Sequence, residues 1–247
     1  MKTTGNTIFM TGGTSGIGLE LARRFRDLGN TVIISGRRKD LLDQIALEDA
    51  IEGVVLDVAD PASIAAAYAD VTARHPVNVL ITMAGIMQPE NLQDPAHLAT
   101  AEATIDINLL GTIRSITTFL PHLQQQPDPV IMTVSSGLAF VPLALTPTYN
   151  ATKAAIHSYT QSLRLQLAGT NLQVIELVPP AVQTNLLGGA APDPTWMPLD
   201  DFTNESITLL QQHPNADEIL VNRVHFLRAA ERESRHEAAV TALNSAH

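Results

Sequence analysis

A short β-branched run, Thr7–Thr11, passes directly into Gly12, Gly16 and Gly18, and then into a stripe of Ile17, Leu21, Phe25 and Leu28. No other feature limits the fold as strongly. The first run reads as a buried strand, and apolar residues three and four apart read as one face of a helix. Glycine permits positive φ and lets backbone approach a ligand closely, while the helix amino end offers unpaired N–H groups to an anion. In this strand-to-helix context Gly12, Thr14, Ser15, Gly16, Ile17 and Gly18 read as a cradle for the phosphates of a dinucleotide. The plainer alternative is a tight turn without a ligand.

The alternation continues along the chain. Residues 31–35, 53–56, 78–83, 130–135 and 172–178 are further strand-like runs. Helical spacing separates them: a segment starting at Leu41, Leu42 and Ile45, one opened by Asp60-Pro61, a long one over about 95–125 that Pro121 kinks or ends, and one over about 148–168. Strands alternating with helices imply a parallel sheet covered on both faces, and the whole chain, 1–247, is expected to be one α/β domain. A loop near 186–198, carrying Leu186 and Trp196, precedes a helix predicted at Leu199–Gln212. Loops at the carboxyl ends of parallel strands hold ligands, so this one is expected to face substrate. Residues 218–221 read as a short edge strand followed by a helix, with a helical stripe through Leu220, Val224 and Leu227 as the alternative.

Lys153 follows Tyr149 by four residues, which puts both on one face of a helix, one turn apart. Tyrosine ordinarily keeps its proton to a pKa near ~10. An ammonium close by favours the phenolate and lowers that value, so the pair can exchange a proton with a substrate oxygen near neutral pH. The blander reading is a core-edge tyrosine and a surface lysine. With only Lys2, Lys39 and Lys153 in the chain, chance pairing at this spacing is rare. Ser136 lies thirteen residues before Tyr149 and competes with Ser135 for the role of polarising a carbonyl.

The end of the second strand chooses the cofactor. A carboxylate there would bond the adenosine ribose and repel a 2′-phosphate. The chain instead reads Ser35-Gly36-Arg37-Arg38-Lys39, and guanidinium groups suit a phosphate dianion. NADP (as NADPH) is therefore expected over NAD. The net charge of −10 argues against nucleic acid or an anionic membrane surface as partner. The absence of cysteine excludes disulfides and thiolate catalysis, and the eight histidines include no His-x-x-x-His pair, so no metal site is expected. No run approaches the ~20 apolar residues that span a bilayer. The amino end lacks a signal-like stretch, and a cytoplasmic protein is expected.

Taken together, Thr11-Gly12-x-x-x-Gly16-x-Gly18, Asp57-Val58, Ala84-Gly85, Asn108, Ser136, Tyr149-x-x-x-Lys153 and the stretch from Pro179 to Thr184 resemble the short-chain dehydrogenase/reductase superfamily, in its single-domain branch. The resemblance implies a doubly wound Rossmann fold of about seven parallel strands. It implies Tyr149 as proton donor or acceptor, Lys153 as the group that lowers its pKa and binds the nicotinamide ribose, and Ser136 as the polarising hydroxyl. Asn108 would hold a helix irregularity and a water linked to Lys153. Asp57 and Val58 would flank the adenine, Ala84 and Gly85 would line the cofactor cleft, and Val182 and Thr184 would contact the nicotinamide end. The implied reaction is hydride transfer between NADP and a small carbonyl or secondary alcohol; a non-catalytic NAD(P)-binding regulatory module is the alternative. A homodimer or homotetramer is implied through the two long helices.

The chain departs from the family pattern at two positions. Met83 stands where an asparagine usually ties the central strands, so lost stability is expected there. Pro180 replaces the usual glycine of Pro-Gly and removes an N–H beside the nicotinamide. In these respects the chain resembles a little-characterised bacterial oxidoreductase branch. Met87, Phe140, Leu143, Leu186 and Trp196 are candidate pocket walls, with core or loop packing as the alternative.

Overall fold

The computed structural model describes residues 1–188 and 193–245. Seven strands form one parallel sheet: β1 (Thr7–Thr11), β2 (Thr31–Gly36), β3 (Glu52–Val55), β4 (Val79–Thr82), β5 (Val130–Val134), β6 (Gln173–Leu177) and β7 (Glu218–Ile219). Their order is β3-β2-β1-β4-β5-β6-β7. The chain winds outward from β1 to one edge, returns to β4 and winds to the other, so the topological switch lies between β1 and β4.

Both faces of the sheet are covered, which is why its strands are nearly continuous in Ile, Val and Leu. Helices α1 (Gly16–Asp27) and α2 (Lys39–Asp49), and later α7 (Leu199–Gln212), bury Leu21, Phe25, Leu42, Ile45 and Phe202 against Ile8, Met10, Ile34 and Ile81. On the opposite face α3 (Pro61–Arg74), α5 (Gly111–Leu123) and α6 (Pro147–Gln166) bury Ile64, Val71, Ile116, Phe119 and Leu163 against Phe9, Ile33, Leu80 and Ile131. Phe9 stacks on Phe119 at 4.9 Å between ring centroids. This is the doubly wound Rossmann architecture.

Three local features differ from expectation. The helix predicted over 95–125 is built from α4 (His97–Thr104), a π-helical stretch (Ile105–Leu110) and α5, and Pro121 lies inside α5 without ending it. The final strand is only two residues long; beyond it the Asn222 N–H donates to Glu205 Oε1 at 2.6 Å instead of continuing the ladder. The tail then forms a 3-10 turn (Asn222–Val224), the one-turn α8 (His225–Arg228) and α9 (His236–Asn244). Finally, although the Met83 side chain offers no polar tie, β1 and the end of β4 are joined through Thr11. Thr11 Oγ1 accepts the N–H groups of both Met83 and Ala84, each at 3.2 Å, and so joins β1 to the end of β4.

Candidate active site

Every element of the site starts at the carboxyl edge of the sheet. After β1, Gly12 turns the chain with φ 71°, and a β-carbon there would meet the Ala84 Cα at 2.6 Å. A side chain at Gly18 would meet the Gly12 carbonyl oxygen at 2.4 Å, so this loop can form only with glycine at both places. Ser15 caps α1 without a side-chain bond to the helix, and the first turn carries no acid. Its N–H groups and dipole therefore favour an anion.

Arg37 and Arg38 follow β2. Both are exposed, and neither guanidinium has an ion-pair or hydrogen-bond partner among the described residues, whereas those of Arg23, Arg26 and Arg74 are all paired. Lys39, the third basic residue of this run, is tied to Asp43. Asp57 and Val58 follow β3, where Asp57 Oδ1 accepts the Ala59 N–H at 3.0 Å.

Asn108 occupies the π-helical stretch and is fully buried. Its Oδ1 accepts the Ile86 N–H at 2.8 Å, and its Nδ2 donates to the Ile86 carbonyl at 2.9 Å and to Thr152 Oγ1 at 3.3 Å. The extra residue of the π turn thus presents an amide that pins the segment after β4 to α6. Gly85 sits directly against this amide: a β-carbon there would lie 3.3 Å from Asn108 Oδ1 and 3.9 Å from Lys153 Nζ.

Tyr149 and Lys153 lie on the sheet-facing side of α6, both buried. Lys153 Nζ donates to the Val134 carbonyl at 2.8 Å and stands 5.5 Å from the centre of the Tyr149 ring. Ser136 follows β5 and caps a 3-10 turn, accepting the Leu138 N–H at 3.1 Å. The rival serine is committed elsewhere: Ser135 Oγ donates to Glu176 Oε1.

The electrostatics depart from the sequence expectation. Burial pushes the Tyr149 phenol up to about 12, with the neighbouring Ser136 hydroxyl acting in the opposite sense. The Lys153 ammonium donates to the Val134 carbonyl and makes no hydrogen bond to the phenol. Burial lowers Lys153 itself to about 8, opposed by the Glu176 carboxylate. The protein's own groups therefore favour the protonated phenol.

Glu176 is the residue that sequence reading passed over. It is fully buried on β6, accepts from Ser135, and has His157 Nδ1 at 2.8 Å from Oε2. Its signal was a lone acid among Val174, Ile175, Leu177 and Val178. His157 lies one turn beyond Lys153 on α6, 3.8 Å from Glu218, and Arg228 pairs with Glu218 at 2.9 Å.

One cavity of about 720 Å³ joins these parts. Gly12, Thr14, Ser15, Gly16, Ile17, Gly18, Arg37, Arg38, Asp57, Val58, Ala84, Gly85, Ser136, Tyr149, Lys153, Val182 and Thr184 all line it, and Asn108 stands behind Gly85. Thr184 reaches back to the loop, where a β-carbon on Gly16 would lie 3.3 Å from its Cγ2. Met87, Leu143, Leu186 and Trp196 are walls as expected, with part of the 186–198 loop outside the described residues. Phe140 does not line the cavity; its ring packs on His157 and under the Arg228 guanidinium. Leu227 and Leu243, from the tail, line the cavity and were not foreseen.

Residues 6–194 match the family model for short chain dehydrogenases. The chain belongs to that family. It is 42% identical over 189 residues to the uncharacterized oxidoreductase DltE of Bacillus subtilis (strain 168), covering 75% of each chain. Its fold is similar to a short chain dehydrogenase from Burkholderia cenocepacia J2315 in complex with NADP, with a TM-score of 0.83 at 23% identity, covering 98% of this chain and 100% of that one. A short chain dehydrogenase/reductase from Burkholderia phymatum in complex with NAD matches with a TM-score of 0.79 at 17% identity, covering 96% and 97%. The chain is thus an oxidoreductase of a family whose structural neighbours hold either dinucleotide. Among the described residues, no helix is long and apolar enough to cross a membrane.

Proposed function

We propose that this single-domain oxidoreductase uses NADPH to reduce a small carbonyl compound to a secondary or primary alcohol. The observation that carries the reading is the meeting of a buried Tyr149–Lys153–Ser136 group with an anion-ready glycine loop in one cleft. The glycine cradle and the two unpaired guanidinium groups suit a dinucleotide with a ribose phosphate: helix α1 and the loop would hold the pyrophosphate, and Arg37 and Arg38 the 2′-phosphate. Asp57 and Val58 would border the adenine, and Val182 and Thr184 the nicotinamide. A bound nicotinamide supplies the hydride.

The protein's part is proton delivery and orientation. Ser136 would donate to the carbonyl oxygen and polarise it, while Tyr149 gives that oxygen a proton as negative charge builds there. Burial favours the protonated phenol, the form that donates when a carbonyl is reduced. Lys153 would hold the ribose, stabilise the phenolate left behind and lead its reprotonation toward Asn108. Exposed Leu98, Ile105 and Leu110, on α4 and the π stretch, support pairing of these helices in a homodimer or homotetramer.

NADPH consumption on a panel of aldehydes and ketones tests the reading. Tyr149→Phe should abolish it while leaving NADPH affinity within a few-fold. Undiminished turnover in that variant would refute the role of Tyr149. Tight NADPH binding with no turnover on any carbonyl would favour the regulatory-module alternative.

A further inference from the structure

Resting on the oxidoreductase reading, we infer that the substrate is an uncharged carbonyl compound with a hydrocarbon body, and that carbonyl compounds bearing a carboxylate or sulfonate are excluded. The cavity has two chemically different ends. Its charged lining side chains, among the described residues, are Arg37, Arg38, Asp57 and Lys153. The first three follow β2 and β3, whereas Ser136 follows β5. Between β2 and β5 lie three strand spacings of about 4.8 Å each, so the arginines stand roughly 14 Å along the sheet edge from the catalytic serine. Lys153 is buried and already donates to the Val134 carbonyl.

Around the phenol the wall is hydrocarbon. Met87 and Leu143 cluster with Tyr149, and Leu138, Leu187 and Leu243 pack against them. These side chains come from four separate parts of the chain: after β4, after β5, after β6, and α9. The wall is fixed by polar bonds made outside it. Asn244 accepts the Ala144 N–H at 2.7 Å and donates to the Pro142 carbonyl at 3.1 Å, which seats Leu243 on this cluster. The amide of Gln183 is spent on the Pro194 and Trp196 carbonyls, at 3.2 and 3.1 Å. Asn185, also in the lining, is neutral.

A site built to take an anion presents a guanidinium fork or a set of converging donors. The described residues at this end supply no guanidinium, and apart from the Ser136 and Tyr149 hydroxyls their free donor is the single neutral amide of Asn185. A carboxylate brought here loses its hydration without a charged partner, whereas methylene groups gain from leaving water.

Two matched pairs test this with the purified protein and NADPH: octanal against suberic semialdehyde, and acetophenone against its para-carboxylate. Within each pair the reacting carbonyl is the same, and only the far end gains a charge. The uncharged member should be preferred by at least ~100-fold in kcat/KM, as expected for an unpartnered buried carboxylate. Leu187→Arg should narrow the octanal preference by ~10-fold or more by supplying the missing partner. Equal or better turnover of the charged members by the wild-type protein overturns the inference and leaves the oxidoreductase reading standing. No turnover of any of the four, with NADPH bound, overturns that reading and the inference with it.

Discussion

The Lys153 ammonium donates to the Val134 carbonyl at 2.8 Å, one residue before the paired serines. It is a cation kept inside the protein by a backbone oxygen, with the Glu176 carboxylate acting on it from β6. The lysine proposed to serve the chemistry is thereby a strain on the fold.

Replacing it separates the two effects. Lys153 binds its proton to about 8 in the folded protein and to 10.5 in the unfolded chain, so between those values the unfolded chain holds the extra proton and stability rises with pH. Tyr149, protonated to about 12 when folded but only to 10.0 unfolded, reverses the slope above 10. Lys153→Met should melt higher than the wild type at neutral pH, by on the order of 1–3 kcal/mol, and lose the alkaline rise. Its turnover should fall at least ~100-fold. Calorimetry across pH beside a single activity assay reads both; lower stability at pH 7 would contradict the account.

Glu176→Gln keeps the shape of the side chain and removes its charge. Because Glu176 raises the Lys153 pKa, the variant should lose the ammonium at lower pH. The alkaline limb of the kcat/KM profile should move down by several tenths of a pH unit or more. A limb that stays in place while stability drops would reduce Glu176 to a packing role.

Asn108→Ala should strip the Ile86 N–H and carbonyl of their partner inside the protein. Two unsatisfied backbone groups predict a loss of about 2–4 kcal/mol in chemical denaturation. Asn108→Asp keeps an acceptor for the Ile86 N–H but sets a buried carboxylate oxygen against the Ile86 carbonyl, and should cost at least as much.

Arg37→Ala with Arg38→Ala should weaken NADPH by at least ~10-fold and change NADH affinity by less than ~3-fold, measured by fluorescence titration. Equal losses for both dinucleotides would mean that the two arginines do not read the phosphate.

Much of this was legible from the chain alone. The alternation of β-branched runs with helical stripes set out the layers, because burying both sheet faces leaves strands little room for polar residues. The glycine loop was equally plain, since few other residues fit its contacts. The direction of the Tyr149 shift was not legible: spacing reports that a lysine is near, but not that it is turned to Val134 or how deeply both are buried. Glu176 hid for a related reason, its partners Ser135 and His157 being far away in sequence. The bond from the Met83 and Ala84 N–H groups to Thr11 was not legible either, because it joins two strands far apart in sequence.

The family match ends at residue 194, yet Leu227 and Leu243 help enclose the reacting end of the cavity. Leu227 also touches Gly137, beside Ser136, so closely that a β-carbon on Gly137 would lie 2.7 Å from its Cδ1. Drift in the last fifty or so residues can therefore reshape what the enzyme accepts while the proton-handling residues stay untouched.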